Sequence, residues 1–289
     1  MFMNYEFLHS YWSVPAFNER WNVDKITQTI TNMWYFAVSV EYLKRLNQKV
    51  VLHTDEFGKD LLDHVPYDEI HLTLEEIPDW MDPALWACGK MYALTKAPIN
   101  AVHIDGDVFF KKPECLERLS QNADVITQCY EHISWAAPAY ADAMNALQHL
   151  EFPKWASKDL KKSCNTGVLY FTNEDLKKDF LNTYFSMAEK ISKDKKCRET
   201  FLTDRSTAPD IIIEQKFLLE LAEHTNCRFK TILANIEEAV NIGYQHVIGI
   251  HKYPQLDTCK NILKKLNFDL FKKCEQKELD FLSYINKIN

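Results

Sequence analysis

Glycine is scarce in this chain of 289 residues, which has only six, at positions 58, 89, 106, 167, 243 and 249. Glycine lets a backbone turn sharply and approach a ligand closely. A P-loop and a dinucleotide-binding fingerprint each need several glycines at short, fixed spacing. Neither pattern is present, so the sequence excludes P-loop NTPases and the usual NAD-dependent enzymes.

The chain also lacks an excess of positive charge, since its formal net charge is −7 and its sequence pI is about 5.8. Proteins that bind nucleic acid need a basic surface to hold the phosphate backbone. We therefore expect no nucleic-acid partner. An anionic ligand would have to be held locally, by a metal ion or by a few lysines.

Cysteine pairs and long apolar runs are also missing. The eight cysteines show no Cys-x-x-Cys or other zinc-like spacing, and a chain of this length can bury a core without disulfides. No apolar stretch reaches the roughly 18 residues of a membrane span, and the N-terminus has no signal-peptide pattern. We expect reduced thiols and a cytoplasmic protein.

Strand-like and helix-like segments alternate through residues 1–110. This rhythm predicts an α/β fold with a mostly parallel sheet flanked by helices, although it leaves the strand order open. Ligands of such sheets bind beyond the carboxyl ends of the strands, where we expect the loops with His9 to Trp12, Asp55 and Asp105. The predicted strands lie in 5–12, which runs into a loop, in 48–58, which ends in a turn with Asp55 and Gly58, and at 68–74 and 99–104. The predicted helices are 25–47, 59–66 and 83–98.

After residue 110 the pattern loosens. We predict strands at 123–130 and 164–172, with a mixed region before about residue 160 and a closing segment at 244–254. The predicted helices are 113–122, 174–193 and 211–225. The tail 257–289 is lysine-rich and amphipathic, and we expect a packed C-terminal helix. A weak peripheral contact with the inner face of a membrane is the alternative, although acids dilute the basic face of the tail.

The stretch "AVHIDGDVFF" (101–110) places Asp105 and Asp107 on either side of Gly106, at the end of a predicted buried strand. Two carboxylates this close repel each other unless a proton or a cation intervenes. Carboxylate oxygens suit Mg²⁺ or Mn²⁺, which often share their coordination with substrate phosphates. We therefore predict a divalent-metal site, with an acidic surface turn as the alternative.

The stretch "HVIGIHK" (246–252) makes the pattern more specific, since it carries His246-x-x-Gly249-x-x-Lys252. Together with the Asp-x-Asp, it resembles the nucleotide-sugar glycosyltransferases of the GT-A fold, in particular the glycogenin-like, retaining family 8 enzymes. The pattern also resembles uncharacterised bacterial proteins with W-x-x-G-K and H-x-D-x-D sequences. One departure is Tyr253-Pro254 after the lysine, where the family has Pro-Trp.

The resemblance implies a Rossmann-like GT-A fold and a role for each matching residue. Asp105, Asp107 and His246 would bind the metal, with Asp105 also contacting the ribose, and His251 competes with His246 for the ligand role. Gly249 and Lys252 would meet the phosphates of a UDP-sugar. Residues 1–255 would form the catalytic domain (1–110 for the nucleotide, 111–255 for sugar and acceptor), with 256–289 as a helical extension.

The same resemblance implies further candidates. Asn165 and Gly167 in "CNTGVLYF" would line the sugar pocket, and Glu214 or Gln215 would contact the sugar near its anomeric carbon. Lys90 would reach the phosphates or balance the acidic pair. The nucleotide would contact Tyr11, Trp12 and Asp55. A core strand, a helix start, an exposed lysine and core aromatics are the structural alternatives.

The resemblance implies a metal-dependent transfer of sugar from a UDP-sugar to a hydroxyl of a carbohydrate or lipid-linked glycan, with retention of the anomeric configuration. The departing phosphate would then take the proton, whereas an inverting enzyme would use a base such as Glu214. Three alternatives stay open. They are a haloacid-dehalogenase-type phosphohydrolase using Asp105 and Asp107, a nucleotidyltransferase, and a sugar-nucleotide-binding protein without catalysis.

Overall fold

The computed structural model describes residues 4–19, 23–235 and 237–288, and for 132–137, 250 and 288 it describes the backbone alone. Within them the strands are β1 (Glu6–Tyr11), β2 (Lys49–Thr54), β3 (Glu69–His71), β4 (Ala101–Ile104), β5 (Val108–Phe110), β6 (Val125–His132), β7 (Lys162–Phe171), β8 (Phe229–Thr231) and β9 (Tyr244–His246).

Helices lie between most of these strands and on both sides of the sheet. They are α1 (Val14–Phe17), α2 (Lys25–Arg45), α3 (Glu56–Leu62), α4 (Cys88–Lys96), α5 (Glu114–Glu117), α6 (Ile133–Leu147), α7 (Glu174–Lys193), α8 (Lys195–Thr203), α9 (Phe217–His224), α10 (Glu238–Ile242), α11 (Leu256–Leu266) and α12 (Phe268–Ile288). A π-helix, Ile211–Lys216, precedes α9, and 3₁₀ turns occur at Thr73–Glu76, Arg118–Ser120 and Gly249–Lys252.

The main sheet has seven strands in the order β3-β2-β1-β4-β7-β6-β8, and β5 pairs with β9 in a second, two-stranded sheet. The pairs β1–β2, β1–β4, β2–β3 and β6–β8 are parallel, whereas β7 runs antiparallel to both β4 and β6. The prediction of a mixed, mainly parallel sheet flanked by helices is confirmed, and the architecture is compatible with a Rossmann-like fold.

Strand order creates a topological switch point between β1 and β4. From β1 the chain continues to β2 and β3 on one side, and it then returns to β4 on the other side of β1. The connections beyond β1 and β4 therefore diverge, and such a switch point is where open α/β sheets bind ligands. Asp105 directly follows β4, so the fold places the acidic pair at this point.

Local sequence explains why the central elements form where they do. All four residues of β4 are buried, as expected for a strand covered on both faces by helices. Asp24 and Asn173 cap α2 and α7 by accepting backbone N–H groups of the first turn, and Lys44 and Arg45 lie at the carboxyl end of α2. These signals are visible in the sequence and fix the ends of two long helices.

Several boundaries differ from those expected from sequence. The helix expected from residue 83 begins at Cys88, and the one expected over 113–122 shortens to α5 and a 3₁₀ turn. Residues before Cys88 form turns instead, held by Asp210, whose Oδ2 accepts the N–H of Ala87 at 3.0 Å.

His9, expected in a loop, lies inside β1 and is buried. The mixed region contains α6, and α8 was not expected.

The C-terminal segment is helical, as predicted, and α11 and α12 both pack against α2. Leu263 and Cys274 are buried in the core on that side of the sheet. The indole N–H of Trp34 on α2 donates to Glu278 Oε2 at 2.6 Å. In the part of the chain that is described, no helix is both long enough and apolar enough to cross a membrane.

Replacing Leu263 by Ala should lower the free energy of unfolding by about 2–5 kcal/mol, because it empties a fully buried site between α11 and α2. Leu279→Ala on α12 is the matched control, since Leu279 is 57% exposed and its loss should change stability by less than about 0.5 kcal/mol. Urea unfolding of both variants measures the difference. Equal stability of the two would show that α11 is not part of the core.

Candidate metal centre

Asp105 and Asp107 flank a tight connection between β4 and β5. The N–H of Asp105 donates to the carbonyl of Gly167 at 2.9 Å, and the N–H of Val108 donates to the carbonyl of Asp105 at 3.0 Å. Gly106 is required for space, since a Cβ atom there would lie 2.3 Å from the ring of Phe36. The backbone of the acidic pair is therefore fixed by the sheet and by the aromatic core beneath it.

Lys90 is a buried cation that pairs with the carboxylates of Asp105 and Glu214. Its Nζ lies 2.9 Å from Asp105 Oδ1 and 2.7 Å from Glu214 Oε1, and it also donates to the carbonyl of Thr166 at 2.9 Å. The side chain is only 6% exposed. Burial disfavours a charged lysine, yet the two carboxylates raise the pKa of Lys90 above its ordinary value. Lys90 thus contacts one member of the acidic pair, Asp105, together with Glu214, and the exposed-lysine alternative is wrong.

Glu214 lies on the π-helix and is almost fully buried, with 1% of the residue exposed. Its Oε1 also accepts the hydroxyl of Thr166 at 2.7 Å. Burial raises the pKa of Glu214, whereas Lys90 opposes that rise. π-Helical turns occur frequently at functional sites, and here the turn directs this carboxylate at the lysine beneath Asp105.

Asp107 belongs to a second group of charges. Its Oδ1 lies 3.3 Å from His246 Nε2, and its Oδ2 lies 3.4 Å from Lys252 Nζ. Burial disfavours the ionised form, but Lys252 and His246 together hold the pKa of Asp107 well below its usual range. The carboxylate is therefore charged at neutral pH and available to a cation.

His246 reaches Asp107 because β9 pairs with β5, which places His246 opposite Val108. Asp105, Asp107 and His246 each offer a ligand atom, and these atoms lie within 4.8 Å of one another. His251 lies in the following 3₁₀ turn and is exposed. The structure thus brings His246, rather than His251, to the acidic pair.

The second ring nitrogen of His246, Nδ1, is held by Gln128, whose Oε1 lies 2.7 Å away. Gln128 Oε1 also accepts the hydroxyl of Tyr244 at 2.7 Å. Histidines that bind metals commonly donate their second ring N–H to such an oxygen. The donor set of two carboxylates and one supported imidazole therefore fits a divalent cation.

A bulge in β7 shapes this part of the site. Thr127 pairs with Leu169 and Cys129 with Asn165, so three residues of β7, 166–168, face the single residue Gln128. Bulges often redirect side chains beside functional sites. Gly167 is needed in the bulge, because a Cβ atom there would lie 2.6 Å from Gln128 Oε1 and from the His246 ring.

The predicted sugar-side residues lie along the same edge. Asn165 Oδ1 accepts the N–H of Gly167 at 2.9 Å, and its amide donates to Glu131 Oε1 at 2.8 Å. Glu131 Oε2 also accepts the hydroxyl of Tyr140 at 2.5 Å, and the side chain of Gln215 meets the same hydroxyl at 3.1 Å. Glu131 and Gln128 were missed from sequence, although an acid just after a predicted strand was a usable signal for Glu131.

The predicted nucleotide-side residues are more dispersed. Asp55 caps α3 through Gly58 N–H and accepts Ser13 N–H, both at 2.7 Å, so its carboxylate joins the ends of β1 and β2. Tyr11 is buried against Phe36, and Trp12 is half-buried beside α4. Gly249, with a φ of +58°, starts the turn that carries Lys252. Lys252 Nζ also donates to Asn32 Oδ1 at 3.1 Å.

A second group with metal-ligand types, His149, Asp194 and Cys197, lies at the start of α8. The fold itself explains this group. Asp194 Oδ1 caps α8 by accepting the N–H of Cys197 at 2.8 Å and also meets His149 Nε2 at 2.9 Å. Burial raises the pKa of the Cys197 thiol to about 12, which disfavours the thiolate that metals bind.

Lys90→Met should destabilise the protein by about 3–5 kcal/mol, because it leaves Asp105 and Glu214 without the buried cation between them. Lys96→Met is the matched control on the same helix, where the ion pair with Glu76 is 42% and 54% exposed and contributes less than about 1 kcal/mol. Denaturant unfolding measures both. A small loss in both variants would contradict the role given to Lys90.

A family model matches residues 5–276, which include every candidate site residue from Tyr11 to Lys252. No curated protein matches the sequence. The family model carries the description of a family of unknown function. Because the match covers most of the 289 residues, the chain belongs to the DUF6734 family.

Proposed function

We propose that this protein is a metal-dependent glycosyltransferase of the GT-A type, which moves a sugar from a UDP-sugar to a hydroxyl group of a carbohydrate or lipid-linked glycan. The observation that carries the proposal is the convergence of Asp105, Asp107 and His246, with Lys252 beside them, at the switch point of the sheet. A diphosphate needs both a divalent cation and a local positive charge in a protein with a net charge of −7.

Each residue of the candidate metal centre has its own role in this proposal. Asp105, Asp107 and His246 would hold the cation, Mn²⁺ or Mg²⁺, which would supply Lewis acidity to the diphosphate. Lys252 is 17% exposed and contacts the other oxygen of Asp107, Oδ2, so its ammonium would stabilise the negative charge that develops on the leaving group. Lys90 stays beneath Asp105 and keeps that carboxylate oriented.

Retention of the anomeric configuration is part of the proposal. An inverting enzyme needs a free carboxylate to take the acceptor's proton. Glu214 is poorly placed for that task, since its Oε1 is shared by Lys90 and Thr166 and the residue is buried. The sugar would lie instead among the polar side chains of Asn165, Gln215 and Glu131, which form one hydrogen-bonded group.

The proposal is tested by turnover of a panel of nucleotide sugars with and without Mn²⁺. One of them should release UDP in a Mn²⁺-dependent reaction, and Asp107→Asn should slow this reaction about 100-fold or more, because it removes a charged ligand of the site. Asp159→Asn is the control, because Asp159 is an exposed acid paired with Lys161.

Two other results would overturn this function. Hydrolysis of a phosphate monoester in Mg²⁺, with no turnover of nucleotide sugars, would indicate a phosphohydrolase. Binding of a nucleotide sugar without turnover, with any acceptor supplied, would indicate a binding protein.

His246→Ala should weaken Mn²⁺ binding at least about tenfold, whereas His251→Ala should leave it unchanged, because only His246 lies at the acidic pair. The two variants remove the same side chain from neighbouring positions, so each controls for the other. Titration of the free Mn²⁺ signal by electron paramagnetic resonance measures the affinity. The opposite order of effects would assign the ligand to His251.

A further inference from the structure

Gln128 is a buried polar residue next to the candidate metal centre, with 5% of its surface exposed, and no sequence motif identifies it. It is the residue of β6 that faces the bulge of β7. Backbone bonds anchor it from the other side, since its carbonyl accepts the N–H of Leu233 at 2.9 Å. Its side chain therefore has one well-defined direction, towards His246 and Tyr244.

The hydrogen bonds of Gln128 require a proton on Nδ1 of the His246 ring. Gln128 Oε1 can only accept, so the hydroxyl of Tyr244 and Nδ1–H of His246 must both donate to it at 2.7 Å. A neutral imidazole with its proton on Nδ1 has a lone pair on Nε2. Nε2 lies 3.3 Å from Asp107 Oδ1, so a ring with its proton on Nδ1 offers this lone pair to a cation that Asp107 also binds.

The ring also has little freedom to rotate away. Gly167 lies so close that even a methyl group on it would meet His246 Nδ1 at 2.7 Å. The side chain of His246 is only 8% exposed. The bulge, Gln128 and Asp107 thus enclose the imidazole on three sides.

We propose that Gln128 is a positioning residue that fixes the Nδ1–H tautomer of His246, presents Nε2 to the cation and thereby favours Mn²⁺ over Mg²⁺. This inference rests on the metal site of the proposed function. A nitrogen ligand suits a transition-metal ion better than Mg²⁺, which prefers oxygen and water. Loss of the Gln128 contact should therefore affect Mn²⁺ more than Mg²⁺.

The test uses Gln128→Leu and Gln128→Glu in the full chain. Leucine cannot accept the Nδ1–H, so the affinity for Mn²⁺ should fall about 10–100-fold, with a smaller change for Mg²⁺ measured by competition. Glutamate still accepts the Nδ1–H, so Gln128→Glu should keep the wild-type order of affinities. Tyr244→Phe is a control that removes the other donor to Gln128 and should change Mn²⁺ affinity little.

A second readout reports the tautomer directly. Nitrogen-15 chemical shifts of the His246 ring, measured without metal, should show Nδ1–H in the wild-type protein and in Gln128→Glu, and a mixture of tautomers in Gln128→Leu. A merely structural role for Gln128 would alter unfolding but not this ratio. Unchanged tautomers and unchanged Mn²⁺ affinity in Gln128→Leu would overturn the inference while leaving the proposed function intact.

Failure of the proposed function has a different signature. If the wild-type protein binds no Mn²⁺, the metal site is wrong. The nitrogen-15 measurement then still decides whether Gln128 fixes the tautomer, and a wild-type ring with its proton on Nε2 would overturn that part too.

Discussion

Crowding of carboxylates at one edge of the sheet is the constraint on which the rest of the site depends. Asp105, Asp107 and Glu214 meet there, and their mutual repulsion has to be offset by positive charge. Lys90 offsets it below the surface, between Asp105 and Glu214, while Lys252 does so at the rim beside Asp107. In the proposed function, the acidic pair and His246 would hold a cation, and this division of charge links the fold to the proposed chemistry.

The scaffold makes that division possible through strand order and through the bulge in β7. Strand order sets the acidic pair at the switch point, where the connections beyond β1 and β4 diverge. The bulge then supplies contacts to both charge groups: the carbonyl of Thr166 holds Lys90, and Gly167 leaves room for His246. A single irregularity in one strand therefore contacts both a buried ion pair and the imidazole of His246, which belong to distant parts of the chain.

Sequence reveals the parts of this arrangement that are local. The alternating strands and helices predict the α/β sheet, and Asp105, Asp107 and His246 are recognisable from short motifs. The ion pair of Lys90 with Glu214 joins residues 124 positions apart, and only tertiary packing brings them together. Gln128 is invisible for a related reason, because its role depends on the register between β6 and β7, which no short pattern encodes. The short strands β8 and β9 have too few residues to show a period.

The most direct test of the central claim is the coupling between metal and nucleotide at this edge. Calorimetric titration gives the Kd of UDP with and without Mn²⁺, and the Kd of Mn²⁺ with and without UDP. If the acidic pair and His246 hold a cation that bridges to a diphosphate, each ligand should tighten the other by the same factor, about 5–150-fold. Binding of UDP that is equally strong without Mn²⁺, or absent in its presence, would contradict the account.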